Sequence, residues 1–239
     1  MYRIIAKERL AENIHLLEVE APEVARKAQP GQFVVVRVDE EGERIPLTIA
    51  DWDVERGSIT IILLAVGTTT RKLARLNAGD SILNFVGPLG RPTEIDRFGT
   101  VICVAGGVGT ASIFPISRLL KARQNEVIAI MGARTKELIF WEDHLRSVSH
   151  QLIVTTDDGS YGRKGVVTEP LKEFLGARKV DRVIAIGPAV MMKFCCLTTK
   201  PFGVNTIVSL NSIMVDGTGM CGCCRVSVGG ETKFACVDG

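Results

Sequence analysis

The residues with the clearest chemical potential lie at the C-terminal end of the chain. Four of the seven cysteines are found there, at positions 221, 223, 224 and 236. Cys221 and Cys224 form a C-x2-C step in a glycine-rich loop, a spacing typical of metal binding. Gly229-Gly230 separates two short β-prone runs and predicts a hairpin, because glycine accepts the positive φ of a tight turn. Pairing outward from this turn places Cys223 opposite Cys236 and returns Cys236 to the edge of the Cys221–Cys224 loop.

The identity of the fourth ligand is the open question in this segment. A [2Fe–2S] cluster usually takes four cysteines, and C-x4-C-x2-C…C is one ferredoxin spacing. Asp216-x4-Cys221-x2-Cys224-x11-Cys236 follows that spacing with a carboxylate in the first place. Such a replacement is chemically allowed, since histidine replaces cysteine in Rieske centres. Asp216, Cys221, Cys224 and Cys236 are therefore the predicted ligands, and Cys223 is the alternative to Asp216. A zinc ion and an inert hairpin are the other interpretations.

Composition and charge limit the classes of function. A length of 239 residues allows two modest domains and a small appendage. The formal net charge of +2 gives no reason to expect nucleic acid as a partner, and no apolar run has the length of a membrane span. An odd and uneven set of cysteines argues against a disulfide framework and favours a reducing, cytoplasmic location with a metal site.

Residues 1–95 are predicted to form an antiparallel β-barrel. Strand-like runs at 3–9, 14–20, 33–38, 45–50, 58–64 and 80–85 are separated by Gly- and Pro-containing turns. A short helix is expected over residues 72–76, capped by Thr68 or Thr69. The turn leading into it has free N–H groups and the charges of Arg71 and Lys72, as an anion site requires, although capping alone also explains its residues. Pro46 is compatible with an edge strand.

Residues 96–210 are predicted to form an α/β domain with a parallel sheet. Strands at 100–105, 126–131, 151–156, 182–186 and 206–210 alternate with helices at 112–123, 136–147, 168–175 and 189–199. Ligands of such sheets bind outside the carboxyl ends of the strands. The loop 106–110 follows the first strand and would let a dinucleotide approach the backbone. Arg134 follows the second strand, where it could meet a ribose or phosphate. Taken singly, each loop is also an ordinary βα turn.

A barrel, a nucleotide-binding domain and an iron–sulfur hairpin (residues 211–239) occur in that order in the ferredoxin–NADP reductase superfamily, which this chain resembles. Within it, the chain is similar over its whole length to small flavoprotein subunits with a C-terminal [2Fe–2S] site. One type is the small subunit of NADH-dependent reduced ferredoxin:NADP oxidoreductase, or sulfide dehydrogenase. The related type is the electron-transfer subunit of dihydroorotate dehydrogenase. Asp216 favours the first type, because the second carries a cysteine at this position.

The resemblance implies roles for individual residues. In the superfamily, a strand with an Arg-x-aromatic-Ser/Thr pattern holds FAD and places its hydroxyl near flavin N5. Leu47 and Thr48 match the end of this pattern and Pro46 precedes them. Arg44 stands one residue before the arginine position, which contacts the FAD pyrophosphate. Further matches are the pyrophosphate-binding turn (Gly67, Thr68, Thr69, Thr70), the nicotinamide-dinucleotide loop (Gly106, Gly107, Val108, Gly109, Thr110) and the loop that faces the nicotinamide ring (Gly187, Pro188, Met191).

The function that the resemblance implies is that of an NAD(P)H-dependent electron-transfer flavoprotein subunit. Its cofactors would be NAD(H) or NADP(H), FAD and a [2Fe–2S] cluster, and these carry the redox chemistry. Thr48 is the candidate for contact with the reacting flavin atom. A larger iron–sulfur flavoprotein subunit is the implied partner, with ferredoxin reached through it. The electron-transfer subunit of NAD-dependent dihydroorotate dehydrogenase is the alternative enzyme. A flavin-binding redox or metal sensor is the alternative from another class.

Overall fold

The structure, a computed structural model, describes residues 1–238 and divides the chain into two compact units. Met1–Thr93 and the residues from Leu210 onward form the first unit, and Glu94–Ser209 forms the second. The domain limits 1–95, 96–210 and 211–239 stay predictions. In the described part of the chain, no helix is both long and apolar enough to cross a membrane.

The first unit is built on a seven-stranded antiparallel sheet. Its strands are β1 (Tyr2–Ala11), β2 (Ile14–Glu20), β3 (Phe33–Arg37), β4 (Ile45–Asp53), β5 (Ser58–Leu64), β6 (Ser81–Ile82) and β7 (Asn84–Leu89), in the spatial order β6-β1-β2-β5-β4-β3-β7. β6 and β7 lie at opposite ends of this order, yet only Leu83 separates them in sequence. The sheet therefore curls into a nearly closed barrel, and the predicted barrel is confirmed. The helices are α1 (Pro22–Ala25) and α2 (Thr68–Arg75).

Both faces of β3 are buried. Val34 and Val36 pack into the barrel interior. Phe33 and Val35 point to the other face, where they are only 8% and 3% exposed because they pack against residues of the C-terminal segment. Successive side chains of a strand point to opposite faces, so an uninterrupted apolar run suits a strand that is covered on both sides.

Two local predictions for the barrel are wrong. The helix does not begin at residue 72 behind a threonine cap, because α2 starts at Thr68 and its N-cap is Gly67. The predicted strand 80–85 is two strands, since Ser81–Ile82 pairs with β1 and the residues from Asn84 onward pair with β3. A break at Leu83 lets this short stretch join both ends of the sheet.

The second unit contains a parallel sheet, as predicted, and a short strand at Arg163–Lys164 brings its strands from the predicted five to six. Its strands are β8 (Thr100–Gly106), β9 (Glu126–Ala133), β10 (Gln151–Thr156), β11 (Arg163–Lys164), β12 (Arg182–Ile186) and β13 (Asn205–Val208), in the order β11-β10-β9-β8-β12-β13. Its helices are α3 (Gly109–Ala122), α4 (Glu142–Ser147), α5 (Thr168–Ala177) and α6 (Ala189–Thr199). The strand order reverses between β8 and β12, which makes this the switch point where ligands of such sheets bind.

Helices cover both faces of this sheet and form separate cores. Ile113 and Leu120 of α3 pack on one face, whereas Leu171 of α5 and Cys195 of α6 pack on the other. The predicted helix 136–147 is wrong in its first half, which is a 3-10 turn at Lys136–Leu138 followed by a short stretch without regular secondary structure. That stretch buries apolar side chains against the α3 core, so packing overrides the local helical pattern.

The C-terminal segment forms the predicted hairpin, with β14 (Arg225–Val228), β15 (Glu231–Phe234) and a final helical turn, α7 (Ala235–Asp238). Gly229 and Gly230 have φ values of 61° and 85° in its turn. The predicted pairing of Cys223 with Cys236 is wrong. The ladder stops at Arg225 and Phe234 and the chain then turns into α7, which rotates Cys236 out of strand register. Barrel, parallel sheet and terminal hairpin together confirm the predicted fold class.

Candidate functional site

The four predicted cluster ligands lie in two pairs. The Sγ atoms of Cys224 and Cys236 are 3.1 Å apart, longer than the roughly 2.05 Å of a disulfide bond, and both cysteines are free and 2% exposed. Asp216 and Cys221 form the other pair, because the Cys221 N–H donates to Oδ2 of Asp216 at 2.7 Å. No three His, Cys, Asp or Glu side chains in residues 1–238 are arranged to hold one metal ion. A [2Fe–2S] cluster has two irons, and a Rieske centre shows that each iron takes two protein ligands.

Asp216 organises the loop that carries the other ligands. Its Oδ1 accepts hydrogen bonds from the backbone N–H and the hydroxyl of Thr218, and its Oδ2 accepts from Cys221. Hydrogen bonds from Thr218 first, and from Cys221 next, hold the pKa of Asp216 well below its usual range. The carboxylate is therefore anionic at neutral pH, as a ligand must be. A carboxylate has about four lone-pair sites, and these three bonds leave one of them, on Oδ2, for a metal ion.

The four cysteines of this segment fall into two classes of burial, because Cys224 and Cys236 are buried whereas Cys221 and Cys223 are exposed. Burial raises the pKa of the Cys236 thiol to about 11, so a metal cation is what would stabilise the thiolate there. Cys223 is exposed, whereas its neighbour Cys224 is buried, and the two side chains lie in different surroundings. A hydrogen bond with Cys221 raises the pKa of the Cys223 thiol. Two buried thiols, the exposed thiol of Cys221 and an ionised carboxylate form a donor set that fits an iron–sulfur cluster.

The segment is seated on the outer face of the barrel wall. Cys224 and Cys236 pack with Phe33 and Val35, and Phe234 adds to the same cluster. The backbone also comes close, since a Cβ on Gly217 would lie 3.0 Å from Cγ2 of Val35. Gly217 has a φ of 75°, which glycine adopts readily. The residue after Asp216 is thus held against β3.

The predicted flavin strand has an unusual environment at its start. Residues 45–48 pair with β3, whereas the ladder with β5 begins only at Ile49. One backbone edge of residues 45–48 therefore lies outside the ladder, and all four side chains are half-buried. Pro46 falls in this part, which explains how a barrel strand accepts a residue without an N–H. Arg44 precedes the strand and is exposed. An open strand edge beside half-covered side chains fits a flat ring system.

The predicted pyrophosphate turn lies at the same end of the barrel as Thr48. β4 and β5 are antiparallel with Asp53 opposite Ser58, so the start of β4 and the end of β5 share one end. β5 leads into α2, whose N-cap Gly67 has no side chain to satisfy the free N–H groups of the first turn. Thr70 Oγ1 accepts only the Gly67 N–H, at 2.9 Å. The N–H groups of Thr68 and Thr69 belong to that uncapped turn, which fits an anionic group.

Lys72, expected to add charge to this turn, has a different role. Its Nζ lies 2.9 Å from Oδ2 of Asp39, and the two charges offset each other. Arg71 follows the first turn and is exposed. The positive charge near the helix start is therefore smaller than the sequence suggested.

The glycine loops of the second unit meet at the switch point. A Cβ on Gly109 would lie 2.1 Å from the carbonyl oxygen of Ile186, and a Cβ on Gly187 would lie 3.0 Å from the Cα of Gly106. A Cβ on Gly106 would lie 2.4 Å from Sδ of Met191. Only glycine allows these two loops to touch. The ends of β8 and β12 and the start of α3 thus form one backbone-lined surface.

The other residues of the predicted nucleotide site lie beside these loops, with the exception of Arg134. Gly107 has a φ of 54°, and its N–H donates to the Gly132 carbonyl at 3.1 Å. Val108 is the N-cap of α3, and Thr110 is buried in its first turn. Pro188 is the N-cap of α6. Arg134 lies elsewhere, at the end of β9, where its carbonyl accepts the N–H of Asp158 at 3.3 Å. It is one strand removed from the switch point.

Phe33 is a candidate functional residue that was not predicted from the sequence. It packs with two of the predicted cluster ligands and pairs with Thr48. A signal was present, because an apolar run without alternation indicates a strand covered on both faces. The sequence alone did not show what covers the second face.

Comparisons with known proteins add independent support. Residues 211–239 match the profile of the iron–sulfur cluster binding domain of dihydroorotate dehydrogenase B. The chain is 50% identical over 236 residues to a dihydroorotate dehydrogenase B (NAD(+)) electron transfer subunit homolog of Thermotoga maritima, covering 99% of this chain and 83% of the relative. It is 32% identical over 245 residues to the dihydroorotate dehydrogenase B (NAD(+)) electron transfer subunit of Desulforamulus reducens, covering 99% and 93%.

A solved structure is similar over the full length of the chain. It belongs to a study of flavin-based electron bifurcation in an NADH-dependent reduced ferredoxin-NADP oxidoreductase. The TM-score is 0.95 and the sequence identity is 48%, covering 100% of this chain and 86% of the solved one.

Proposed function

Because the chain belongs to the family of dihydroorotate dehydrogenase B electron-transfer subunits and their homologues, we propose that it carries electrons from NAD(P)H to a larger flavoprotein partner. The sequence prediction of an oxidoreductase subunit that uses a nicotinamide nucleotide, a flavin and an iron–sulfur cluster is confirmed by these relationships. When bound, these cofactors supply hydride transfer and single-electron transfer. The polypeptide binds and positions them.

The observation that carries the proposal is the buried pair of Cys224 and Cys236 in a segment that matches an iron–sulfur domain. We assign this pair to one iron, and Asp216 with Cys221 to the other. The 3.1 Å separation of the two thiols supports the first pair. The hydrogen bond from Cys221 to Asp216 supports the second. Cys223 is not assigned as a ligand, because Asp216 occupies the first place of the ferredoxin spacing and accepts the Cys221 N–H.

We assign FAD to the barrel. Thr48 places its hydroxyl at the flavin ring, Pro46 and Leu47 line the same strand, and Arg44 is available to the pyrophosphate. Support comes from the open edge of residues 45–48. The uncapped turn of Gly67, Thr68, Thr69 and Thr70 receives the pyrophosphate, and support comes from its position at the same end of the barrel.

We assign the nicotinamide dinucleotide to the switch point of the second unit. Gly106, Gly107, Val108, Gly109 and Thr110 would cradle the pyrophosphate, and Gly187, Pro188 and Met191 would face the nicotinamide. The close approach of the two glycine loops supports this assignment. Arg134 would contact the ribose or its phosphate from the end of β9.

The proposal also names a class of partner subunit. Relatives of this chain are subunits of larger enzymes. We propose that the partner here is a larger iron–sulfur flavoprotein through which ferredoxin and NADP are reached, because Asp216 occupies the first ligand position. The names of several relatives favour dihydroorotate dehydrogenase as the second candidate. We place the protein in the cytoplasm, as its cysteine usage suggests.

Anaerobic purification and reduction with NADH test the function. The expected protein is yellow-brown, contains FAD and iron, and loses both its flavin and its cluster absorption when NADH is added. A colourless protein that holds zinc and no flavin would overturn the proposal. Pull-down of the native protein then identifies the partner. Recovery of a dihydroorotate dehydrogenase catalytic subunit would favour the second candidate.

A further inference from the structure

We propose that Phe33 is a positioning residue that sets the separation between the flavin-binding strand and the cluster cysteines, and thereby the rate of electron transfer between the two cofactors. The inference rests on the proposed function, because it takes FAD at Thr48 and the cluster at Cys224 and Cys236. Its observations all lie within the first unit.

The first observation is the cross-strand pair. Phe33 lies directly opposite Thr48 in the ladder between β3 and β4. Opposite residues of an antiparallel pair point to the same face, with Cβ atoms about 4.5–5.5 Å apart. Val34 and Leu47, the next pair, pack into the barrel interior. Phe33 and Thr48 therefore share the outer face of the wall.

The second observation is what covers Phe33 on that face. Its side chain belongs to a buried cluster with Val35, Cys224 and Cys236, to which Met214 adds from the start of the same segment. Phe33 is 8% exposed and each of the two cysteines is 2% exposed. One ring therefore lies between the candidate flavin contact and two candidate cluster ligands.

The third observation is that the ring is held from two sides. A Cβ on Gly90 would lie 2.8 Å from Cε1 of Phe33, and a Cβ on Gly217 would lie 3.2 Å from Cε2. Both glycines have positive φ, 83° and 75°, so each brings bare backbone close to the ring. Gly217 directly follows Asp216. The ring thus touches the loop of the second ligand pair as well.

Through these contacts the Phe33 ring sets the distance between the flavin-binding strand and the cluster cysteines. Protein interiors are close-packed, so removing the ring replaces packed atoms with a cavity and no longer holds the terminal segment in its position on β3. Electron transfer between bound cofactors falls steeply with their separation. With FAD and the cluster bound, each electron that crossed would oxidise the reduced flavin by one electron and reduce a ferric iron, flavin protons would go to solvent, and the partner would re-oxidise the iron. Hydride transfer from the nicotinamide precedes this step and does not involve the ring.

The test is single-turnover reduction by NADH, with flavin and cluster absorption followed separately. Phe33→Ala removes the ring, Phe33→Met conserves volume without it, and Val34→Ala is the control for weakening β3 from its other face. We expect Phe33→Ala to reduce its flavin within twofold of the wild-type rate and its cluster at least tenfold more slowly. Phe33→Met should restore cluster reduction to within threefold, and Val34→Ala should leave both rates unchanged.

A second readout needs no cofactor. In the iron-free protein, Cys224 and Cys236 should react with a thiol reagent at least fivefold faster in Phe33→Ala than in Val34→Ala, since the ring covers them. Phe33→Leu replaces Phe33→Ala in both experiments if the latter does not fold. Cluster reduction at the wild-type rate in Phe33→Ala would overturn this inference but not the proposed function. Equal slowing of cluster reduction in Val34→Ala and Phe33→Ala would do the same. A wild-type protein whose flavin is not reduced by NADH would overturn the proposed function and this inference with it.

Discussion

Phe33 and Thr48 face each other across β3 and β4, and this pair connects the two candidate cofactor sites of the first unit. The inner face of the barrel wall is an ordinary apolar core. Its outer face carries the flavin-strand hydroxyl and the ring that packs with Cys224 and Cys236. The terminal segment is therefore part of the barrel unit in structure, although it is far from the barrel in sequence.

Asp216 and Cys223 compete for the role of fourth ligand, and paired alanine variants decide between them. We expect Asp216→Ala to lose the cluster, because it removes an ionised donor and the bonds to Thr218 and Cys221. Cys223→Ala should retain it, since Cys223 lies outside the Asp216-x4-Cys221-x2-Cys224-x11-Cys236 spacing. Iron content and visible circular dichroism measure both. Loss in Cys223→Ala with retention in Asp216→Ala would reverse the assignment.

The buried thiol pair is predicted to be essential for cluster binding. Cys224→Ser should reduce iron content to near zero, because a serine hydroxyl is a poor substitute for a thiolate ligand of iron. Cys196→Ser is the matched control, since Cys196 lies on α6 in the other unit. Its iron content should equal that of the wild type. Equal iron in the two variants would contradict the assignment.

Thr48→Val is expected to slow flavin reduction while leaving the barrel intact. Valine keeps the shape and removes the hydroxyl, and one hydrogen bond is worth roughly 1 kcal/mol, or about fivefold to tenfold in rate. Stopped-flow bleaching with NADH measures it. Thr60→Val on β5 is the control and should leave the rate of flavin reduction unchanged. An unchanged rate in Thr48→Val would remove Thr48 from the flavin site.

Gly109→Ala and Gly176→Ala should change stability in opposite directions. The new Cβ at position 109 meets the Ile186 carbonyl at 2.1 Å, so backbone must move, at a cost of about 1–3 kcal/mol. Position 176 is exposed in α5 with open space around it, and alanine there should stabilise by about 0.5–1 kcal/mol. Urea unfolding measures both, and nucleotide titration should show weaker binding only for Gly109→Ala. Stability gains in both variants would contradict the close packing of the two loops.

Asp181 should contribute a pH-dependent stability to the second unit. A hydrogen bond from Lys179 first, and one from the Thr100 N–H next, lower the pKa of its carboxyl. A group with a lowered folded pKa stabilises above its unfolded pKa, near about 3.9, and loses that contribution as pH falls through the folded value. Asp181→Asn should therefore have a lower free energy of unfolding than wild type at pH 7, and this difference should shrink as the pH falls below about 3.9. Urea unfolding at pH 7 and pH 3 measures this difference, and an equal difference at the two pH values would contradict the prediction.

Local pattern was enough for much of the fold. Ile14–Glu20, Ser58–Leu64, Gln151–Thr156 and Ala189–Thr199 occur at the limits that the sequence predicts, because hydrophobic periodicity and turn residues act within a segment. The ligand spacing around Cys221 and Cys224 is also local, and so the type of metal site could be predicted.

Contacts between distant segments were decided only by the tertiary structure. Cys236 meets Cys224 and not Cys223, because α7 interrupts the ladder. Lys72 pairs with Asp39, which leaves less charge at the helix start. In the sequence, Phe33 is one of several apolar residues of a strand. Only the folded structure shows that the terminal segment covers it. Periodicity encodes which face of an element is buried, whereas the partner that buries it depends on how the whole chain packs.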